Sequence, residues 1–513
     1  MTNCYIRLNG VRPSYTLFKW WIQVEGAILD RVSYPLQNPQ GFQRFHLETR
    51  AAPSRRKVPS PFNPQVSKFG LASVLFKEAL HYGLKLSRRE YRTALLSRPC
   101  IYGVFGGRFG GFHPIKEKCT GCMRCVQEFP SVCRVDRNPE FYKFADSYWV
   151  LDDSSTATPS TSPVAIVSYE AETGTIPIKG MGYKGAFASR GWDSMWTDMS
   201  EIVRPTRDGV YGREYISTTV DFGRKVKFLD FHDFRPRSRI LELSLPIIFN
   251  YLPPKMTNQS VLNSVAHASR RVGTFFVADP EQINWLHDAE IVVPLLPIDD
   301  LDYQLVNRAR ALELTQYDTS ALEKIHSINE NAIVCVRLPL TGKAEAAALE
   351  LARDSDVDVI HLSGNYHGVR DDDSALMKDI LKEVHQTLVK ESVRDEVTLI
   401  ASGGITLAEH LPKAIICGAD LVALDTTTLV ALQAEFQGEC ITSDQGRIKS
   451  DAFDIEWGEQ RLVNLLSSWH DQLIEILSAM GIRDVRRLRG DVGRAIFQEE
   501  MEREAFSGID RGT

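Results

Sequence analysis

The chain has 513 residues, a formal net charge of −6 and 43% hydrophobic residues, so it can form roughly two to four structural units, one of them a barrel of about 250 residues. Charges of both signs are spread along it without a basic stripe, so we expect no nucleic-acid partner. The nearest candidate for a membrane span, residues 18–29, contains Lys19, Gln23 and Glu25 and therefore predicts no span. No secretory signal is visible at the N-terminus, which predicts a cytoplasmic protein.

A cysteine motif near residue 120 is the most specific local signal in the chain. Cys119, Cys122 and Cys125 have the spacing of the first three cysteines of a bacterial ferredoxin, whose thiolates bind an iron–sulfur cluster, and Pro130 ends the motif. The fourth position of the ferredoxin motif holds Phe129. Because that cysteine serves the other cluster in two-cluster ferredoxins, the sequence predicts a single cluster, of the 4Fe–4S type.

The remaining iron ligand must come from elsewhere in the chain. Cys133 is the nearest cysteine and is the predicted ligand, and Cys100 is the alternative that the intervening loop would bring close. A zinc knuckle is the competing interpretation, but zinc sites usually combine two separate C-x-x-C turns, so the spacing favours iron and sulfide. Nine cysteines, an odd number in a long chain, also fit a reducing compartment better than a disulfide framework.

From about residue 240, short apolar runs alternate with amphipathic helical patterns, which is typical of repeated βα units and a parallel sheet. The predicted strands are residues 245–249, 274–278, 291–296, 311–316, 332–338, 357–363, 397–402 and 421–425. Helices are predicted between them, for example at 259–271, 343–353, 375–390 and 407–416. Eight such units favour a closed (β/α)8 TIM barrel over an open sheet.

The regions outside the barrel complete the predicted fold. Residues 154–163, rich in Ser, Thr and Pro, indicate a surface loop or a joint between domains. Residues 458–480 form a predicted helix whose apolar stripe favours packing on the parent domain over a partner site. The predicted fold class is α/β, a TIM barrel with an N-terminal iron–sulfur region and a C-terminal helical extension. The predicted segments are a region from which no role follows (1–112), a ferredoxin-like iron–sulfur segment (113–153), a pre-barrel segment (164–240), the barrel (241–440) and the helical extension (441–513).

The turn after the seventh predicted strand reads Ser402-Gly403-Gly404 and precedes a predicted helix. Two glycines let backbone N–H groups approach a phosphate closely, and a helix N-terminus favours its negative charge. Thr406 and Glu409 have the spacing of a capping box at the start of that helix. Phosphate sites in barrels occur after strands seven and eight, so we predict a phosphate cradle, in a turn at the barrel surface, rather than a plain tight connection.

Several stretches of the chain resemble the FMN-binding barrel domain of glutamate synthases. They are residues 311–316, 357–364, 401–406, 414–420 and 426–432. The block 180–225 is similar to stand-alone glutamate-synthase-related proteins that carry their own cysteine motif. The resemblance covers roughly residues 113–505 and implies that the barrel binds FMN. The residues that it assigns to FMN are Gln316, Arg337, Ser363, Gly364, Ser402, Gly403, Gly404 and Thr426.

Five features depart from the pattern of that family. A glycine-rich turn with a glutamate is replaced at residues 277–280, and a loop bearing lysine and glycine is replaced at 317–320. Arg337 stands where the family has a lysine, and Asp425 stands where it has a glycine. Cys440 is what remains of the cysteine cluster that follows the barrel in true synthases. These replacements count against 2-oxoglutarate chemistry, and the N-terminal cysteine motif compensates for the shortened cluster.

The resemblance also predicts which partners the chain needs. The glutaminase domain of the family has no counterpart, because Cys4 is not an N-terminal nucleophile and residues 1–112 do not resemble that domain. A separate ammonia-supplying subunit is therefore required for any amino transfer. The other predicted partners are an external electron donor or reductase subunit and a small amino or oxo acid.

Other side chains have two interpretations each. Arg337 would either place positive charge against the flavin N1/O2 edge or form a salt bridge to a neighbouring strand. His361 and His367 lie near the predicted C-terminal face, but a lone histidine is more often structural, so we name neither as catalytic. Arginines within 204–213 indicate a dicarboxylate site or an internal ion-pair network, and aspartates 371–373 indicate a solvated loop rather than a metal site.

The leading hypothesis is an iron–sulfur flavoprotein oxidoreductase that acts on CH–NH2 donors and resembles the synthase domain of glutamate synthase. Electrons from an external carrier would reach FMN through the cluster and reduce a small amino or oxo acid. The alternative is a non-catalytic scaffold or electron-transfer subunit whose degenerate barrel has lost the flavin. A flavin barrel similar to dihydroorotate dehydrogenase has weaker motif support.

Overall fold

The structure is a computed structural model. It describes residues 45, 47–56, 59–60, 62–70, 72, 100, 102–106, 113–119, 121–140, 163–176, 191–197, 215–225, 239–286, 291–340, 342–370, 375–437, 440–505 and 507. From residue 47 onward, the described residues belong to one compact unit. Several stretches that carried predictions lie outside these ranges, namely Cys4, residues 154–162, arginines 204, 207 and 213, and aspartates 371–373.

A small antiparallel sheet supports the cysteine motif. Strand β1 (Phe62–Val66) pairs with β2 (Cys133–Arg137), so that Val66 stands opposite Cys133. Helix α1 (Arg124–Glu128) lies just before β2 and contacts it. Side chains of these elements form a buried cluster of their own, which gives this region a core separate from that of the barrel.

Short elements lead from this sheet to the barrel. They are helix α2 (Pro163–Thr173), strand β3 (Met195–Thr197) and the antiparallel pair β4 (Val220–Gly223) and β5 (Ile240–Leu243). Gly223 donates a backbone hydrogen bond to Thr398 Oγ1 at 3.1 Å, and that hydroxyl donates to the Gly223 carbonyl at 2.8 Å. This exchange fastens the pair to the amino end of a barrel strand, away from the end where barrel sites occur.

Eight parallel strands close into a barrel. They are β6 (Ile247–Phe249), β7 (Phe276–Ala278), β8 (Val292–Leu296), β9 (Ala311–Leu314), β10 (Ile333–Pro339), β11 (Val359–Ser363), β12 (Thr398–Ser402) and β13 (Leu421–Leu424). Strand β13 pairs with β6 and completes the ring. The predicted TIM barrel and all eight predicted strands are confirmed, with ends that differ by one or two residues.

Helices cover the outside of the barrel. They are α3 (Gln259–Val272), α4 (Pro280–Ile283), α5 (Tyr303–Arg308), α6 (Thr319–Ile328), α7 (Ala344–Arg353), α8 (Met377–Lys390), α9 (His410–Cys417) and α10 (Thr426–Ala431). Local signals set their ends: the Asn258 side chain caps α3 by accepting from the Val261 N–H, and Gly273 ends it with φ +76°. The strands are covered on both faces, which explains their continuous apolar sequences.

The helix after β12 does not begin as predicted. It starts at His410, and its N-cap, Glu409, makes no side-chain capping bond, so the capping box of Thr406 and Glu409 is wrong. Instead, His410 Nδ1 accepts a hydrogen bond from the Thr406 N–H at 3.1 Å. An imidazole inside the first turn therefore satisfies a backbone donor that the prediction left to a capping residue or to a phosphate.

The C-terminal extension packs along one side of the barrel. Its elements are β14 (Glu435–Gln437), β15 (Arg447–Lys449), α11 (Ile455–Ala479), β16 (Ala495–Phe497) and α12 (Gln498–Ala505). Helix α11 packs on α3 and α2, which confirms that its apolar stripe belongs to the core. Its buried Arg461 donates to the carbonyls of Ala52 at 2.9 Å and Ser168 at 3.3 Å, and so ties three distant parts of the chain together. Among the described helices, none has the length and apolar character needed to cross a bilayer.

Candidate functional site

Five cysteines gather beside the β1–β2 sheet. Cys100, Cys119, Cys125 and Cys133 are buried, whereas Cys122 is exposed. The structure therefore brings the three motif cysteines together with both candidates for the fourth ligand. The apolar residues buried with them are Phe62, Val104, Phe105 and Val132.

The backbone of the motif turns sharply at two points. Gly121 has φ +72° and Met123 has φ +57°, both in the left-handed region. A Cβ on Gly121 would lie 2.2 Å from the Phe62 ring, so the residue between the first two motif cysteines must be glycine. The turns wrap the chain around a small volume, as cluster-binding motifs do.

A pocket opens between the motif and the segment 100–106. The four cysteines that line it are Cys100, Cys119, Cys122 and Cys125. Its other lining residues are apolar or aromatic: Pro64, Tyr102, Val104, Phe105, Met123 and Val135. Four thiols within an apolar wall are the surroundings that suit an iron–sulfur cluster, whose potential depends on burial and on solvent access.

The thiols differ in their readiness to ionise. Burial raises the pKa of Cys119 to about 11, and the neighbouring Cys125, Cys100 and Cys122 contribute to this rise. A hydrogen bond from Cys133 lowers the pKa of Cys125 to about 7, while the same contact and burial raise the pKa of Cys133. The thiolate is the form that binds a metal, so burial and the Cys125–Cys133 contact set how readily these thiols ionise.

The spacing of the sulfurs separates a cluster from a single ion. A zinc ion with thiolates at about 2.3 Å holds its sulfurs about 3.8 Å apart. Among the described residues, no three of these cysteines have their sulfurs within 4.8 Å of one another. Ligands of a cluster bind different irons and stand farther apart than zinc ligands, so the described sulfur spacing is compatible with a cluster.

A second polar site lies inside the barrel, toward the carboxyl ends of its strands. The Glu313 carboxylate accepts a hydrogen bond from Arg337 Nε at 2.6 Å and another from His361 Nδ1 at 2.9 Å. His361 Nε2 lies 2.8 Å from Ser402 Oγ, and Arg337 Nη2 donates to Asn250 Oδ1 at 2.8 Å. One connected network therefore links β9, β10, β11 and β12 and reaches the residue that follows β6.

The charges of this network balance internally. Burial alone would raise the pKa of Glu313, but Arg337 and His361 lower it to about 2. Burial lowers the pKa of His361, so its ring is neutral, donates through Nδ1 and accepts from the Ser402 hydroxyl at Nε2. Arg337 was predicted either to face the flavin or to form a salt bridge to a neighbouring strand. In the structure it forms the salt bridge, with Glu313 of β9.

The glycine turn after β12 is buried, so the prediction of a surface turn is wrong. Gly403 has φ +110°, and a Cβ there would lie 2.5 Å from the Asn365 carbonyl oxygen. Gly404 has φ +69°, and its Cβ would lie 2.8 Å from the His367 carbonyl oxygen. Close packing of two backbone segments therefore explains these glycines without any ligand.

Two N–H groups expected to face a phosphate are already bonded within the protein. The Gly404 N–H donates to the Tyr366 carbonyl at 3.2 Å. The Thr426 N–H donates to the carboxylate of Asp425 at 2.5 Å, and the Thr426 hydroxyl donates to the same oxygen at 3.1 Å. Burial raises the pKa of Asp425 to about 6. A carboxylate of the chain itself thus holds donors that an anionic ligand would use.

All eight residues assigned to FMN lie on or just after the carboxyl ends of barrel strands. They do not share one environment, since Gln316 is exposed while Ser402 and Thr426 are buried. Sequence reasoning missed Glu313 and Asn250. The available signal was a glutamate inside the short apolar strand β9, where a buried charge requires a partner.

A further polar group joins the pre-barrel segment to α9. His410 Nε2 lies 3.1 Å from the Asp193 carboxylate, and Lys413 Nζ donates to the Trp192 carbonyl at 2.8 Å. Glu409 accepts from Lys413 at 3.4 Å. The Lys413 ammonium lies 3.4 Å from Glu409 and 4.0 Å from Asp193, so this group acts as an ion-pair anchor rather than as a metal site.

Sequence comparisons extend these observations. The conserved region in glutamate synthases matches residues 313–483, which run from Glu313 to beyond α11. The archaeal glutamate synthase [NADPH] of Archaeoglobus fulgidus is 23% identical over 480 residues, which cover 79% of this chain and 91% of that protein. The chain is related to the glutamate synthases. The matched region includes the part of the barrel that holds the network of Glu313, Arg337 and His361.

Two other comparisons complete the result. The archaeal glutamate synthase [NADPH] of Methanocaldococcus jannaschii is 32% identical over 187 residues, 33% of this chain and 36% of that protein. Among solved structures, an IMP dehydrogenase/GMP reductase-like protein from Corynebacterium glutamicum aligns over 62% of this chain and 96% of that chain. Its identity is 14% and its TM-score is 0.38. A similarity this low carries no argument beyond the barrel topology already described.

Proposed function

We infer that this glutamate-synthase-related chain is an iron–sulfur flavoprotein oxidoreductase acting on a small amino or oxo acid. When bound, the cluster supplies one-electron transfer and FMN supplies two-electron chemistry. The proposed location is the cytoplasm, in keeping with the free cysteines among the described residues.

The observation that carries the proposal is the pocket with four cysteines beside a barrel related to the glutamate synthases. Iron–sulfur clusters commonly transfer electrons, so a cluster pocket beside a barrel related to the glutamate synthases supports redox chemistry. The residues fit a cluster because Cys119, Cys122 and Cys125 line one apolar pocket with a further thiol, and Gly121 permits the turn between them.

The barrel mouth, formed by the carboxyl ends of strands β9 to β13 and the turns that follow them, fits FMN in part. In the proposal, the phosphate lies near the turn at 402–404 and near Thr426, and Arg337 and Gly364 lie on neighbouring strand ends. Asp425 opposes this arrangement, because its carboxylate bonds to the Thr426 N–H and would repel a phosphate dianion. The chain therefore binds FMN best with Asp425 protonated or turned away.

The partners follow from the same reasoning. The relatives are named glutamate synthases with NADPH as the donor, which supports a nicotinamide-dependent reductase or another external donor for this chain. A separate subunit supplies ammonia if the reaction is an amino transfer. The substrate is proposed as a small amino or oxo acid by class only.

A second candidate function has its own support. The tight packing of Gly403 and Gly404, and the occupation of the Thr426 amide by Asp425, favour a barrel that has lost its flavin. In that case the chain is a scaffold or electron-transfer subunit that keeps only the cluster.

The deciding experiment is anaerobic purification followed by a visible spectrum, assays for iron and acid-labile sulfide, and analysis of the cofactor released by acid. We expect iron, sulfide and FMN. Iron and sulfide without FMN, even after incubation with excess FMN, would select the electron-transfer subunit. Zinc alone would reject both.

A paired titration tests the role of Asp425 in FMN binding. Asp425→Asn should bind FMN about tenfold more tightly than the wild type at pH 8, because the competing negative charge is gone. The two proteins should differ little at pH 5, where Asp425 is mostly protonated. Asp299→Asn, at an exposed position, is the matched control. Equal affinities at pH 8 would contradict the competition.

A further inference from the structure

We propose that Cys100, and not Cys133, is the fourth ligand of the cluster. The ligand set is then Cys100, Cys119, Cys122 and Cys125. This inference rests on the proposed function, because it names a ligand of the cluster assigned there. It revises the choice made from sequence distance, which favoured Cys133 as the nearest cysteine.

The first support is the composition of the pocket. Cys100 lines the same pocket as the three motif cysteines, and Cys133 is absent from its wall. Tyr102, Val104 and Phe105, from the segment that carries Cys100, form part of the remaining wall. The segment 100–106 therefore contributes both a thiol and the apolar cover, as a dedicated part of a metal site does.

The second support is the way in which this segment is held. The Ile115 N–H donates to the Val104 carbonyl at 2.7 Å, which joins the segment to the residues directly before Cys119. A turn within the segment, where the Gly106 N–H donates to the Gly103 carbonyl at 3.0 Å, folds it compactly. Cys100 thus reaches the motif through ordered backbone contacts despite its separation in sequence.

The third support is the position of Cys133. It begins β2, its N–H donates to the Phe129 carbonyl at 2.8 Å, and its partner across the sheet is Val66. These bonds fix its backbone within the sheet. Its side chain contacts Cys125 and packs in the small core, but it does not line the pocket.

The test compares two identical chemical changes in the full chain. Cys100→Ser and Cys133→Ser both replace a buried thiol, 8% and 3% exposed respectively, by a hydroxyl. Each variant and the wild type are purified anaerobically and examined by iron and sulfide analysis and by electron paramagnetic resonance. Wild type and Cys133→Ser should contain about four irons per chain and show the same reduced signal. Cys100→Ser should contain about three irons or fewer and show an oxidised three-iron signal.

The outcomes separate the ligand assignment from the proposed function. A wild-type protein without iron and sulfide overturns the cluster itself. A wild-type cluster that survives in Cys100→Ser, or that is lost in Cys133→Ser, overturns the assignment of Cys100 alone. Circular dichroism of the metal-free proteins shows whether each variant folds. If Cys100→Ser does not fold, Cys133→Ser decides: a retained four-iron cluster supports the assignment, and a three-iron or absent cluster overturns it.

Discussion

The cysteine pocket and the barrel mouth treat their polar groups in opposite ways. In the pocket, four thiols converge on a shared apolar space. In the mouth, the polar groups are matched to one another: Glu313 pairs with Arg337 and His361, and Asp425 bonds to Thr426. A ligand site needs donors or acceptors that the protein does not use itself. The pocket meets this requirement except at Cys125, whose thiol contacts Cys133. The mouth meets it only if Asp425 releases the Thr426 N–H.

The largest expected effect tests whether the cysteine pocket binds the cluster. Cys125→Ala should lower the iron content to about three per chain or fewer, because it removes one of the four thiols that line the pocket. The measurement is iron and acid-labile sulfide per chain after anaerobic purification. Cys417→Ala is the matched control, since Cys417 is buried in α9 and lies outside the pocket. Iron retained by Cys125→Ala at the wild-type level would show that the pocket is not the cluster site.

The next effect tests whether the mouth network holds the barrel together. Glu313→Ala leaves the partly buried Arg337 guanidinium without its carboxylate partner. We expect a loss of about 3 kcal/mol in the free energy of unfolding, at the low end for a buried ion pair. Urea unfolding measures the change. Glu330→Ala, at an exposed turn, should shift the free energy by less than about 0.5 kcal/mol. Similar small shifts for both variants would mean that the network adds no stability.

The glycine turn provides the third test. Gly403→Ala places a Cβ 2.5 Å from the Asn365 carbonyl oxygen at φ +110°, so we expect a loss of about 3 kcal/mol in the free energy of unfolding. Gly342→Ala is the control, because a Cβ there meets no atom within 4 Å. Thermal unfolding of the metal-free and FMN-free proteins separates this effect from ligand binding. If Gly403→Ala is as stable as the control, a Cβ fits in the turn and close backbone packing does not explain the glycine. A phosphate cradle would then explain it.

The smallest effect concerns the pH dependence of stability. The folded pKa of Asp425, about 6, lies above its unfolded value of about 3.9. The folded protein therefore binds more protons in this window, and its stability falls as the pH rises from about 4 to 6, then stays level. Asp425→Asn lacks this loss, so it should be more stable than the wild type by about 2 kcal/mol at pH 8 and nearly equal at pH 4.

Thermal or urea unfolding from pH 4 to pH 8 measures that difference. Asp299→Asn, at an exposed position, should track the wild type throughout. A constant offset between Asp425→Asn and the wild type at every pH would show that the carboxylate keeps an ordinary pKa, and that it is no obstacle to an anionic ligand.

Several features of the molecule were predictable from local sequence. The eight strands followed from apolar runs of the right length, and the fully buried strand β12 is an example, because parallel barrel strands are covered on both faces. The stripe on α11 correctly indicated a core helix. The three motif cysteines were recognisable because ligands from one short segment must follow a fixed spacing.

The sequence by itself thus determined the barrel, its relation to the glutamate synthases and the motif at Cys119, since each depends on patterns among residues close in the chain. Only the tertiary structure decided the environments of Cys100, Glu313 and Asp425. The contacts of these residues come from segments far apart in sequence, or from a burial that no local pattern records. The role of a thiol or a carboxylate depends on such contacts. Burial and neighbouring charges decide whether the group binds a ligand or bonds to another group of the protein.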